Sequence, residues 1–155
     1  MNTTPQAHFE LRSDRFVMST DPERLNVNVV HSYLAQRSYW ARGIPREVVE
    51  RALRHSLCFG IYEGASQVGF ARVITDRATY AYLCDVFILE SHRRQGLGKW
   101  LVRCVLAHPD LQGLRRITLA TQDAHELYRP FGFAEPAEPD KLMEMRRPNP
   151  YPTQT

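Results

Sequence analysis

The residues best suited to chemistry stand in the stretch Arg93-Arg94-Gln95-Gly96-Leu97-Gly98-Lys99, which follows a long apolar run and opens an amphipathic one. Its two glycines let the backbone turn tightly and come close to a ligand. The helix expected after them leaves its first N–H groups without intrahelical acceptors and exposes the positive end of its dipole. Together these features make an anion cradle, with Arg93, Arg94 and Lys99 at its rim. The chemistry they predict is phosphate or pyrophosphate binding; the plain alternative is a strand-to-helix turn that binds nothing. Two common phosphate motifs fail at named positions. A P-loop needs Ser or Thr after its Gly-Lys pair, where Trp100 stands, and a glycine where Arg93 stands. A dinucleotide fingerprint needs a glycine at Leu101. The pattern left is Arg-x-x-Gly-x-Gly between a strand and a helix.

A second chemical signal is Asp85, a carboxylate inside the apolar run 79–89 (TYAYLCDVFIL). Such a group is costly to bury unless it is paired or useful. It is therefore either a catalytic base or the partner of an arginine. Glu90, at the end of the same run, is the next candidate. Aromatic residues Tyr33, Tyr39, Trp40, Tyr80 and Tyr82 gather before and within this stretch. Core packing explains any one of them; as a group they are expected to line a cleft.

The elements that must position these groups follow from hydrophobic period and turn residues. Residues 9–19 suggest an opening strand with a bend at Ser13-Asp14. A helix is expected from Leu25 to Arg37, and a second after Gly43, with Pro45 in its first turn. Strands over 58–63 and 67–75 flank a Gly64-Ala65-Ser66 loop, and 79–89 reads as a central strand. A helix begins near Leu97 and ends at Pro109. A strand over 115–121 precedes a short helix from an Asp123 N-cap to Tyr128, stopped by Pro130. A last strand is expected over Leu142–Arg146. The order is β-α-α-β-β-β-α-β-α-β. Three consecutive strands exclude a doubly wound α/β fold, while the later β-α-β implies a parallel pair. The fold class is α/β in the α+β sense, a mixed sheet with helices on both faces.

Composition bounds the rest. A chain of 155 residues, 43% hydrophobic and 24% charged, suits one globular domain over 1–147 with a frayed tail over 148–155. A net charge of +3 suits an anionic cofactor and is too scattered for nucleic acid. Cys58, Cys84 and Cys104 have no C-x-x-C spacing, and the six histidines no ligand spacing, so no disulfide and no metal are expected. No apolar run approaches the ~18 residues of a membrane span. The polar N-terminus lacks a signal sequence, which points to the cytoplasm.

On Arg93-x-x-Gly96-x-Gly98 and on Leu127-Tyr128-Arg129-Pro130-Phe131-Gly132-Phe133, the chain resembles the GCN5-related N-acetyltransferase (GNAT) superfamily. The match is good over about 58–133 and rests on element order before that. The resemblance implies the family's acyl-CoA N-acyltransferase fold and acetyl-CoA as acyl donor, held by Phe87, Ile88 and the 93–99 loop (Arg93, Arg94, Gln95, Gly96, Leu97, Gly98, Lys99). It implies Tyr128 as the acid that protonates the departing sulfur; Pro130 departs from the charged residue usual at that place. An amine acceptor must lose a proton before attack, a task for Asp85 or Glu90 or for a water held by either. The resemblance implies direct attack in a ternary complex, with no cysteine as covalent carrier. A small-molecule amine is the first expectation for the acceptor, with Tyr33, Trp40, Tyr80 and Tyr82 as lining residues. Its cleft is expected between the first two helices and the 58–80 hairpin. A protein or peptide amine, or a non-catalytic acyl-CoA sensor, is the alternative. No nucleic acid or membrane partner is expected, and a homodimer is common among similar proteins.

Overall fold

A computed structural model describes residues 7–151. The opening segment forms two strands rather than one bent strand, β1 (Glu10–Ser13) and β2 (Phe16–Ser19), paired antiparallel. The expected bend is a reversal, because Asp14 takes a left-handed conformation (φ 54°) that only a tight turn accommodates well. Helix α1 (Val27–Gln36) starts where Asn26 accepts a hydrogen bond from the Val29 N–H. Pro45 precedes α2 (Arg46–Arg54) as its N-cap. Three antiparallel strands follow: β3 (Leu57–Glu63), β4 (Ser66–Thr75) and β5 (Tyr80–Ile88). Helix α3 (Leu97–Ala107) then crosses to β6 (Arg116–Leu119), which lies parallel to β5. The short α4 (His125–Tyr128) completes the set. Its N-cap is Ala124, not the expected Asp123; no side chain caps the helix, and Thr121 Oγ1 accepts the Ala124 N–H just ahead of it.

The sheet runs β1-β2-β3-β4-β5-β6 and has helices on both faces, as expected. One core joins the sheet to α3 through Phe59, Ile61, Leu101 and Val105. The other joins it to α1 and α2 through Val30, Leu34, Val49, Phe70 and Phe87. Each helix buries one stripe against the sheet, which is the main source of stability. Tyr151, in the stretch expected to be frayed, packs on the α1–α2 side beside Gly43.

The strand expected over Leu142–Arg146 does not form. Beyond Phe133 the chain continues as turns and coil, and β6 remains the outer edge of the sheet. The segment Leu-Met-Glu-Met-Arg has no β-branched or aromatic residue to favour the extended form, and no strand pairs with it among the described residues.

The far end of the Tyr62 ring in β3 stands against Gly60, and the Arg24 guanidinium lies 4.4 Å from the ring centroid. A Cβ at position 60 would clash with the Tyr62 hydroxyl oxygen and stand 2.6–2.7 Å from ring carbons. The ring is buried and cannot swing aside. Gly60→Ala is therefore expected to lose about 1–3 kcal/mol of stability through overpacking in urea unfolding. Tyr62→Leu in the same chain should restore part of it; an unchanged Gly60→Ala protein would show that the strand yields freely.

Candidate active site

The site begins with a fork in the sheet. Pairing between β5 and β6 stops at Leu83 opposite Leu119, while β5 runs on to Ile88. Residues 84–88 thus have no strand neighbour on the β6 side. A bulge sits where the fork opens: Phe70 pairs with Phe87, yet Arg72 pairs with Cys84, so β5 carries one extra residue. Asp85 absorbs it with φ 54°, a conformation costing a non-glycine residue of order 1–3 kcal/mol. Its carboxylate shows what offsets that cost. Oδ2 accepts from Arg72 Nε at 2.8 Å and Oδ1 from Trp40 Nε1 at 2.8 Å. Arg72 is itself tied to Ser56 Oγ at 3.1 Å. Of the two readings of Asp85, the structure displays the arginine partner directly.

Beyond the fork, the chain reaches α3 through a 3-10 turn (Glu90–His92) and the glycine-rich loop. Arg94 (φ 64°) and Gly96 (φ 78°) are both left-handed, which turns successive N–H groups toward one side. Trp100 is the first residue to bond back, to the Gly96 carbonyl at 3.1 Å, so the N–H groups of Leu97, Gly98 and Lys99 precede the helix ladder. A Cβ on Gly98 would make only an ordinary 3.7 Å contact with Leu127. Packing does not demand glycine there; bare backbone leaves room for a ligand at the helix start. These residues fit a pyrophosphate.

The cations of the loop divide by role. Arg93 donates to the Ile88 carbonyl at 3.0 Å and to the Tyr33 hydroxyl at 2.9 Å, so it braces the joint between strand and loop. Arg94 and Lys99 make no ion pair among the described residues and remain available to an anion. Gln95 accepts from Arg15 at 2.7 Å, and Arg15 pairs with Glu63, which also holds His92. This brace from the β1–β2 turn has no sequence signal, because its members lie about eighty residues apart.

A cavity of about 350 Å³ passes through the fork. Tyr82, Cys84, Asp85 and Val86 form one wall, residues 119–124 the other, with Tyr128 and the Tyr39-Trp40 pair closing its ends. Tyr39 accepts a hydrogen bond from the Gln122 N–H at 2.9 Å while Trp40 holds Asp85, so the α1–α2 loop clasps both arms of the fork. The cavity is lined by β5 and the segment after β6, not by the 58–80 hairpin. Burial, then Tyr39 and Asp123, push the Tyr128 phenol up to about 12. It stays protonated at neutral pH. Pro130 sits in the 3-10 turn after α4 and leaves Tyr128 in the cavity wall.

The other sequence candidates fall in different places. Phe87 is buried, its ring stacked on Tyr33 at 3.9 Å between centroids, so Tyr33 is a core and bracing residue rather than a cavity residue. Tyr80 lies outside the cavity, its hydroxyl bonded to Thr118. Glu90 forms an exposed ion pair with Arg37 at 3.0 Å and does not line the cavity. Cys84, contrary to expectation, does line it; burial pushes its thiol up to about 12, so it is no thiolate at neutral pH. Sequence reasoning gave no functional role to Asp123, an exposed carboxylate at the cavity with no ion pair among the described residues. Its place after a strand looked like a helix cap.

Comparison with known proteins agrees with this geometry. The acetyltransferase (GNAT) family model matches residues 32–133. A Gibberella zeae protein assigned as an acetyltransferase is 35% identical over 135 residues, 73% of this chain and 75% of its own length. The chloroplastic GCN5-related N-acetyltransferase 1 of Arabidopsis thaliana is 30% identical over 143 residues, 88% of this chain and 69% of its own. A crystal structure from Xanthomonas campestris pv. campestris, assigned to the GNAT family, superposes with a TM-score of 0.87 at 51% identity, covering 89% of this chain and 97% of that one. With the fork, the glycine-rich loop and Tyr128 in place, the chain belongs to the GNAT family of acetyltransferases.

Proposed function

We propose that this acetyltransferase moves the acetyl group of acetyl-CoA to the primary amine of a small molecule, by direct attack in a ternary complex. The observation that carries the reading is the cavity through the fork. Its volume of about 350 Å³ lies at the small end of ligand sites, and one wall holds Tyr128 while another holds Tyr39 and Trp40. An acetyltransferase of Clostridium acetobutylicum with the same fold (TM-score 0.63, 13% identity) was solved with acetyl-CoA.

When bound, acetyl-CoA supplies the activated acyl group as a thioester. The N–H groups of Leu97, Gly98 and Lys99, with Arg94 and Lys99 side chains, would hold its pyrophosphate. The unpaired edge of β5 over 84–88 would bond the amides of its pantetheine as an added strand. Tyr128 keeps a proton for the departing sulfur; the proton lost by the attacking amine passes to water, and the phenol is reprotonated from water after CoA leaves. Asp123 attracts a cationic acceptor toward the cavity, and Asp85 positions the Trp40 wall. The protonated Cys84 thiol favours direct attack over a covalent carrier.

CoA release assayed with a panel of small amines should give turnover with at least one and little with peptide amines. CoA binding without release for every amine would turn the reading to a sensor, and preference for peptides would turn it to a protein acceptor. Tyr128→Phe should lower kcat by about 10²–10⁴-fold with KM nearly unchanged. Because the phenol is raised, the wild type should show no fall in kcat near the ordinary phenol value of about 10; a fall centred there would remove Tyr128 from the acid role. Asp123→Asn should raise KM for a cationic amine several-fold, and less at high salt, where the attraction is screened. An equal KM at all ionic strengths would exclude that attraction.

A further inference from the structure

The loop ahead of α3 holds a strained residue between two fixed ones. Arg94 is left-handed (φ 64°), a conformation that an L side chain adopts only at a cost. Arg93, before it, is tied to the Ile88 carbonyl and the Tyr33 hydroxyl. Gln95, after it, accepts from Arg15 Nη2 at 2.7 Å. The first tie runs into the core. The second runs outward, to the turn between β1 and β2, and there it meets a carboxylate.

That carboxylate is Glu63, the last residue of β3. Its register partner in β2 is Phe16, which sets it beside Arg15. Oε2 of Glu63 accepts from Arg15 Nε at 3.2 Å and from His92 Nε2 at 3.1 Å. Ser91 Oγ lies 2.7 Å from the other ring nitrogen of His92, so the imidazole is held at both ends. Phe16 is buried under the pair, 4.5 Å from the Arg15 guanidinium carbon and 6.2 Å from the His92 ring, centroid to centroid. One carboxylate oxygen thus reaches the loop on both sides of Arg94, at His92 directly and at Gln95 through Arg15.

Neither charge nor stability accounts for a carboxylate in this place. A negative group beside an anion cradle repels the anion that the cradle receives. The Arg15–Glu63 pair is 51% and 39% exposed, and pairs so exposed add little to folding. What Glu63 supplies is order in residues 92–95. We infer that Glu63 is a positioning residue for the acyl donor: through His92 and Arg15 it holds the loop in the conformation that receives the pyrophosphate. The inference rests on the reading of this loop as the pyrophosphate site. It assigns donor affinity in part to the β1–β2 turn, which contributes no group to the cavity. Repulsion and positioning act with opposite signs on binding, so the sign of the effect decides between them.

The test is the Kd of acetyl-CoA by titration calorimetry at low salt, without an acceptor. Glu63→Met and Arg15→Met should each raise Kd roughly three- to tenfold, the cost of ordering a side chain or two on binding. The double variant should bind no more weakly than the weaker single one, because both changes break the same chain of contacts. Glu63→Gln loses the same charge but keeps an acceptor oxygen, and should bind more tightly than Glu63→Met. Thermal unfolding by circular dichroism should be close to wild type in all four, since the groups removed are exposed. If charge alone acts, Glu63→Met lowers Kd, Arg15→Met raises it and the double variant returns near wild type; that pattern would overturn the inference and leave the pyrophosphate site standing. Unchanged Kd values in both single variants would do the same. A wild type that binds no acetyl-CoA would overturn the pyrophosphate reading and the positioning role with it.

Discussion

Asp85 stands in a strand with its backbone turned left-handed, and both its oxygens are held at 2.8 Å, by Arg72 and by Trp40. The site depends on this clasp. The extra residue at Asp85 bends β5 where its pairing with β6 ends, and the fork between the two strands is the cavity. Arg72 and Asp85 are largely buried, so removing either partner would strand a charge at a cost of about 3–5 kcal/mol. A buried ion pair of this kind adds little net stability against apolar side chains of the same size. Its value here is placement, since it fixes a strained backbone and orients the indole that closes the cavity.

The loop after β5 is organised on the same principle. Arg93 looks like a phosphate ligand in the motif, yet its guanidinium is bound to the Ile88 carbonyl and the Tyr33 hydroxyl. Tyr33 is stacked on Phe87, which belongs to the core under α1. The cradle is thus braced from the first helix, from the strand it follows and, through Gln95 and Arg15, from the β1–β2 turn. A cradle held from three sides loses little freedom when an anion arrives, which is how preorganisation favours binding. Arg94 and Lys99 are left to supply charge.

The two faces of the sheet divide the labour. The α3 side supplies the helix terminus and Tyr128; the α1–α2 side supplies Tyr39 and Trp40. Residues from both sides line the cavity at the fork. The phenol's raised proton affinity comes from burial in that opening.

By itself the sequence determined the mixed sheet, the helices on both faces and the glycine-rich turn from strand to helix, because each depends on local period and turn chemistry; it put 79–89 at the centre of the sheet, where the structure makes β5 the fifth of six strands, next to the edge. It placed Tyr128 through a motif. It gave Asp85 two meanings and left them open, since the choice depends on Arg72 thirteen residues away and on Trp40 forty-five residues away. Only the tertiary structure decided that Arg93 and Tyr33 are braces, that Glu90 turns to Arg37 at the surface, that Cys84 and Asp123 reach the cavity, and that Tyr39 clasps the arm after β6. The Leu142–Arg146 segment shows the limit from the other side. Its alternating apolar residues suggest a strand, but a strand is a relation between two segments, and none pairs with this one among the described residues.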